Sequence, residues 1–161
     1  MKNRYQAAFS AGLLAAVWCG IADYFHLVSW VGFLGCSTYF AQTRQGFQGV
    51  LLSWATNLSG VFWAWFVIAG GSFFDSQLIG YLLTGIAGAM MCIQAIDKRL
   101  SFIPGAFIGS CTTFAMGGDI ANLLLPLALG SLLGYSMAML TQPLVILTEK
   151  VQGLFGTTKT A

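Results

Sequence analysis

The chain has 161 residues, of which 57% are hydrophobic and 7% charged, where a soluble domain carries about 25% charged side chains. It therefore has too little polar surface to face water on all sides, which excludes a free soluble domain and leaves an integral membrane protein. The formal net charge of +2 comes from basic residues scattered at segment ends, not from a cluster of the kind that grips nucleic acid.

Lys2 and Arg4 precede an apolar run that starts at Ala7. No small-x-small cleavage pattern follows, and Trp18 ahead of Cys19 spoils a lipoprotein-type site, so an uncleaved first transmembrane helix is expected from about Ala7 to Ala22. Further apolar segments run from Leu27 to Ala41, Gly49 to Ala69, Leu78 to Ile96, Phe102 to Met116 and Ile120 to Leu147. Crossing the hydrocarbon core takes roughly 20 helical residues. The third, fourth and sixth segments are long enough. The second and fifth are short and are entered through Trp30 and Pro104, so they either span with little tilt or break near their starts. Residues 148–161 turn polar and read as a frayed cytoplasmic tail.

The two short segments resemble each other. WVGFLGCSTYFA from Trp30 aligns without a gap on PGAFIGSCTTFA from Pro104, matching Phe33 with Phe107, Gly35 with Gly109, Thr38 with Thr112, Phe40 with Phe114 and Ala41 with Ala115. The same shift of 74 residues lays Asp23 on Asp97 and Gly60 on Gly134. This predicts a single transmembrane domain over 1–147, built as two three-helix repeats at about 7–70 and 78–147. With six spans and a cytoplasmic N-terminus, Lys2, Arg4, Arg44, Lys98, Arg99, Lys150 and Lys159 all fall on the cytoplasmic side, as the positive-inside rule requires. Three spans per repeat is an odd number, so the second repeat enters the membrane inverted. The expected fold is thus all-α, with six transmembrane helices and both termini cytoplasmic, in an arrangement that transporters and channels share.

Small residues mark the expected helix contacts. Gly105–Gly109 and Gly130–Gly134 stand at GxxxG spacing, and Gly35 and Gly60 are repeat-mates of Gly109 and Gly134. Trp18, Trp30, Trp63 and Trp65 lie toward the outer ends of their spans and Trp54 toward the inner, which suits interfacial anchoring.

Enzyme chemistry finds little to work with. His26 is the one histidine, and no zincin, nucleophile-elbow, phosphate-loop or dinucleotide motif occurs in a plausible context. The four cysteines lie in apolar segments without a partner at ligand spacing, so no metal or other cofactor is expected. Asp119, after Gly117–Gly118, is expected to cap the sixth helix. What remains polar at membrane depth is Ser37, Thr38, Ser110, Thr112 and Thr113, joined by the repeat-mates Asn57 and Ser131. These hydroxyls either bond back to their own helices or line a solute path between the two short segments, with Phe33, Phe40, Phe107 and Phe114 as constrictions.

The sequence also resembles the bacterial inner-membrane YcdZ-like family, domain of unknown function 1097. The resemblance rests on LVSWVGFLGCSTYFA from Leu27, LSGVFWA from Leu58, LIGYLLTGIAG from Leu78, MCIQA from Met91, SFIPGAFIGSCTTFA from Ser101 and LALGSLLGYSM from Leu127. It implies a small multi-pass inner-membrane protein and attaches no reaction or substrate. The residues themselves point to a passive channel or facilitator for a small neutral polar solute or a weak acid or anion, one path per protomer of a homo-oligomer in the lipid bilayer. The alternative is a non-transporting membrane scaffold or regulatory partner.

Overall fold

The computed structural model describes residues 4–74 and 76–156. Its six helices are α1 (Arg4–Tyr24), α2 (Ser29–Ala41), α3 (Gly46–Phe74), α4 (Gln77–Ile93), α5 (Ile103–Ala115) and α6 (Ile120–Gly156). A 3₁₀ turn over Gln94–Ile96 extends α4. Four are long and apolar enough to cross a membrane: α1, α3, α4 with its 3₁₀ turn, and α6 over Ile120–Thr148. The two motif helices have 13 residues each, about 20 Å at the rise of an α-helix. Pro104 stands in the first turn of α5, where its missing amide costs no hydrogen bond. The polar segment after Leu147 departs from the expected frayed tail, because α6 continues through it to Gly156. Thr148 returns its hydroxyl to the Leu144 carbonyl there at 2.7 Å, so it does not compete with the helix. Residues 157–161, the end of that expected tail, lie outside the described residues.

Element boundaries recur at the spacing found in the sequence. Adding 74 carries Ser29–Ala41 onto Ile103–Ala115, and the start of α3 at Gly46 onto the start of α6 at Ile120. The most extensive packing joins α2 to α6 and α3 to α5, followed by α4 on α3 and α1 on α6. The molecule is therefore two three-helix groups, α1–α2–α6 and α4–α5–α3. In each group the third helix comes from the other half of the chain.

Contacts fix the helix senses. Along α2 and α6, Gly32 meets Gly130, Gly35 meets Leu127 and Ser131, and Cys36 meets Gly134, so the two run the same way. Gly105 against Thr56 and Ala106 and Ser110 against Gly60 give α5 the sense of α3. Ser10 reaches Met137 and Thr141 while Tyr5 and Gln6 lie beside Leu144 and Thr148, so α1 opposes α6. Gly70 on Leu83 and Ser59 on Gln94 set α4 against α3. Trp54 meets Ala128 whereas Val61 packs with Leu123, so α3 and α6 cross in opposite senses. Helix direction thus alternates from α1 to α6.

Two seams without side chains hold these groups together. A methyl group on Gly35 would overlap the Leu127 carbonyl, and one on Gly130 the Gly32 carbonyl. In the other group, a methyl on Gly60 would overlap the Ala106 carbonyl and one on Gly109 the Asn57 carbonyl. Backbone against backbone is the closest approach two helices can make, and in lipid it supplies the packing that the hydrophobic effect does not.

The expected aromatic belt is corrected in part. Trp18 is 4% exposed, its ring covers Gly32, and its Nε1 donates to the Ser29 carbonyl at 3.0 Å. Trp63 donates to Gln94 Oε1 at 3.1 Å, and Trp54 to the Ala128 carbonyl at 3.0 Å. An indole N–H away from water takes the nearest acceptor, so these three bind inside the protein. Trp30 and Trp65 remain outward-facing.

Gly60→Ala is expected to destabilise by about 1–3 kcal/mol, because the neighbour it meets is a carbonyl that cannot step aside. Gly85, with nothing within 4 Å of an added methyl, is the control, and Gly85→Ala should be neutral or stabilising by up to about 1 kcal/mol. Thermal unfolding of the detergent-solubilised variants checks the contrast, and equal losses at both sites would refute the seam.

Candidate functional site

The buried polar set lies on the inward faces of α2, α3, α5 and α6, and the Thr38–Asn57 pair joins the two helix groups. Thr38, Thr112, Thr113, Asn57 and Ser131 are all at most 2% exposed, and Ser110 is buried too. Most of their bonding capacity is spent locally. Thr112 donates to the Ile108 carbonyl at 2.6 Å and Thr113 to the Gly109 carbonyl at 2.8 Å. Ser131 donates across the α2–α6 seam to the Gly35 carbonyl at 3.3 Å. Ser37 is exposed and bonds back to the Phe33 carbonyl at 2.9 Å. Ser37, Thr112 and Thr113 thus return their protons to their own helices, whereas Ser131 bonds across to another.

The expected aromatic constrictions are not formed within the single chain. Phe40, Phe107 and Phe114 are 53%, 41% and 42% exposed, and Phe33 is half-buried. The reason is helical geometry. Positions 32, 35, 36 and 39 of α2 and 105, 106, 109 and 110 of α5 form the buried stripes, so residues 33, 37 and 40 and their repeat-mates 107, 111 and 114 fall on the opposite faces.

One polar group is left over. Thr38 Oγ1 lies 3.0 Å from Asn57 Oδ1 and 3.1 Å from the Leu34 carbonyl, and Asn57 Nδ2 is buried without a partner. Thr38 has one proton to give. Turning the amide over would let Nδ2 donate to Thr38 and leave the oxygen unpartnered instead, so in either placement one end of the Asn57 amide lacks a protein partner. An unmet amide at this depth costs about 1–3 kcal/mol. Asn57 borders a half-open crevice of about 230 Å³ between α3 and α6, whose other walls are Trp54, Leu58, Leu124, Leu127 and Ala128. Trp54 and Ala128, joined by a hydrogen bond, are themselves 74 residues apart.

Sequence reasoning named Asn57 and missed the rest of this crevice. The signal was present in the repeat register, since a residue that touches its own counterpart 74 positions on sits where the two halves meet. Among the described residues, no group of three or more His, Cys, Asp and Glu could hold a metal ion.

Comparison with known proteins places the chain. The model of the family described as "Protein of unknown function (DUF1097)" matches residues 8–142. The chain belongs to the DUF1097 family. Two curated relatives are both named inner membrane protein YcdZ. The one from Escherichia coli strain K12 is 47% identical over 131 residues, covering 81% of this chain and 80% of the relative. The one from Salmonella typhimurium strain LT2 is also 47% identical, covering 81% and 82%. A more distant relative, the uncharacterized protein YahC of Escherichia coli strain K12, is 28% identical over 146 residues, covering 83% and 88%. No solved structure matches the chain. As a DUF1097 protein it joins four helices of membrane-crossing length to relatives named for the inner membrane. Both support a multi-pass membrane location.

Asp119 acts at the start of α6, accepting from the Asn122 amide at 3.2 Å and from Asn122 Nδ2 at 2.7 Å. The hydrogen bonds from Asn122, the side-chain one foremost, hold its carboxyl below the ordinary carboxylate value. A pKa lower in the folded chain gives stabilisation that is complete above the unfolded value and disappears as pH falls through the folded one. The Tm difference between the natural chain and Asp119→Ala should therefore be present at neutral pH and close on acidification. A gap that stays constant through the carboxylate range would refute the cap.

Proposed function

We propose that this DUF1097 protein is a passive facilitator for a small neutral solute, built as two inverted three-helix repeats that cross the inner membrane six times. The boundary shift of 74 residues, the exchanged third helices and the alternating helix senses support the repeat. Arg44 of the α2–α3 connection donates to the Lys98 carbonyl of the α4–α5 connection at 3.0 Å, so these two basic connections share one end. That agrees with both lying on the cytoplasmic side together with the termini. Outward-facing Phe40, Phe107 and Phe114 on helices shorter than the hydrocarbon core would be shielded by a second copy, which favours a homo-oligomer.

The observation that carries the solute reading is the unmet Asn57 amide beside the α3–α6 crevice. An amide can serve either a donor or an acceptor, and the remaining walls are apolar except for the spent indole of Trp54. That suits a compact molecule with one polar group and an apolar body, such as a short amide, an alcohol or a protonated weak acid. The path runs along the crossing of α3 and α6, not between α2 and α5. No catalytic step belongs to this reading.

Proteoliposome flux of urea, glycerol, short amides and short carboxylic acids should exceed that of empty vesicles. Asn57→Leu should lower the flux at least tenfold without lowering Tm, since it removes an unmet polar group. If no solute in the panel moves faster than through bare lipid, the scaffold or partner role stands instead. Thiol-labelling reports the topology independently. A cysteine at Lys98 should react from the cytoplasm and one at Asp119 from the opposite side, and labelling of both from one side would refute six spans.

A further inference from the structure

The connections at the Arg44 end build a second cavity, of about 320 Å³, lined by Arg44, Gln48, Leu51, Leu52, Ala55 and Arg99. Its two guanidinium groups come from parts of the chain 55 residues apart. They are brought to one place by the hydrogen bond from Arg44 to the Lys98 carbonyl. No carboxylate lines the cavity among the described residues. The nearby acid in sequence, Asp97, accepts at its Oδ1 from the backbone amide of Arg99 at 2.8 Å. Below the two arginines the wall changes to Leu51, Leu52 and Ala55 of α3, with Leu51 48% exposed on the outward face of the helix.

Two arginines beside an apolar wall match an anionic oxygen group carried on a hydrocarbon chain. We propose that this cavity binds the phosphate diester of an acidic phospholipid, with Arg44 and Arg99 on the phosphate oxygens, Gln48 as a further donor, and an acyl chain along Leu51, Leu52 and Ala55. Arginine suits this role because its planar fork meets two phosphate oxygens at once. The site is separate from the Asn57 crevice and does not depend on any transport activity.

The test is native mass spectrometry of the purified full chain, released from micelles doped with phosphatidylglycerol or phosphatidylcholine of the same acyl length. The natural chain should retain phosphatidylglycerol in preference. At roughly fivefold per basic residue near the headgroup, Arg99→Gln should cut that preference about fivefold, and Arg44→Gln with Arg99→Gln about thirtyfold. The paired Arg→Lys variants should keep most of it, and Lys150→Gln, which removes a charge elsewhere, should keep all of it. The Lys pair also guards against misfolding after loss of the Arg44–Lys98 bond. Equal retention of the two lipids, or a preference unchanged in the Gln pair, overturns the proposal. Inorganic phosphate and glycerophosphoglycerol form the second arm. If either displaces phosphatidylglycerol at millimolar concentration, the cavity belongs to a soluble phosphate and the lipid assignment fails.

Discussion

Two stretches of bare backbone contact, α2 against α6 and α3 against α5, set everything else in this molecule. Lipid tails are as apolar as leucine, so helices in a bilayer are not driven together by burying leucine; they associate where they can approach most closely. Gly35 and Gly130 in one group, and Gly60 and Gly109 in the other, permit that approach because each faces a carbonyl that leaves no room for a methyl group. Once those stripes face inward, the opposite faces of the two short helices must face out. The phenylalanines of both copies follow them.

Polar groups obey the complementary constraint. Without water in the hydrocarbon, each donor must find an acceptor inside the protein. The threonines return protons to carbonyls one turn back, Ser131 bridges a seam, and three of the tryptophans donate across or between helices. These bonds rigidify the structure and use up the hydroxyls as solute ligands. Against that economy the Asn57 amide stands out, because it is deep, half satisfied and belongs to a residue of the α3–α6 crevice wall.

The connections between helices are short and the described exposed residues form no domain outside the helical bundle. One end of an amide at the crossing of the two halves, and a pair of arginines of which Arg44 also holds the Lys98 carbonyl, keep bonding capacity to spare. The first offers neutral hydrogen bonding and the second fixed charge, so the two present different chemistry.

The sequence by itself determined the membrane class, from its scarcity of charge, and the number of apolar helices, from the polar breaks between them. It located both 13-residue helices to within two residues at either end, found the spacing that relates the halves, and marked the glycines of the seams. Folding, by contrast, set which side of α2 and α5 faces inward, packed Trp18 over Gly32, and brought Trp54, Asn57 and Ala128 together. It also decided that Arg44 and Arg99 share a cavity and that α6 runs on to Gly156. The physical reason is that a water-soluble helix announces its buried face by polarity, with apolar residues recurring every 3.6 positions. In a bilayer both faces are apolar, so periodicity of hydropathy falls silent. The inward face is chosen by side-chain size, and which small stripe meets which depends on contacts between segments far apart in the chain.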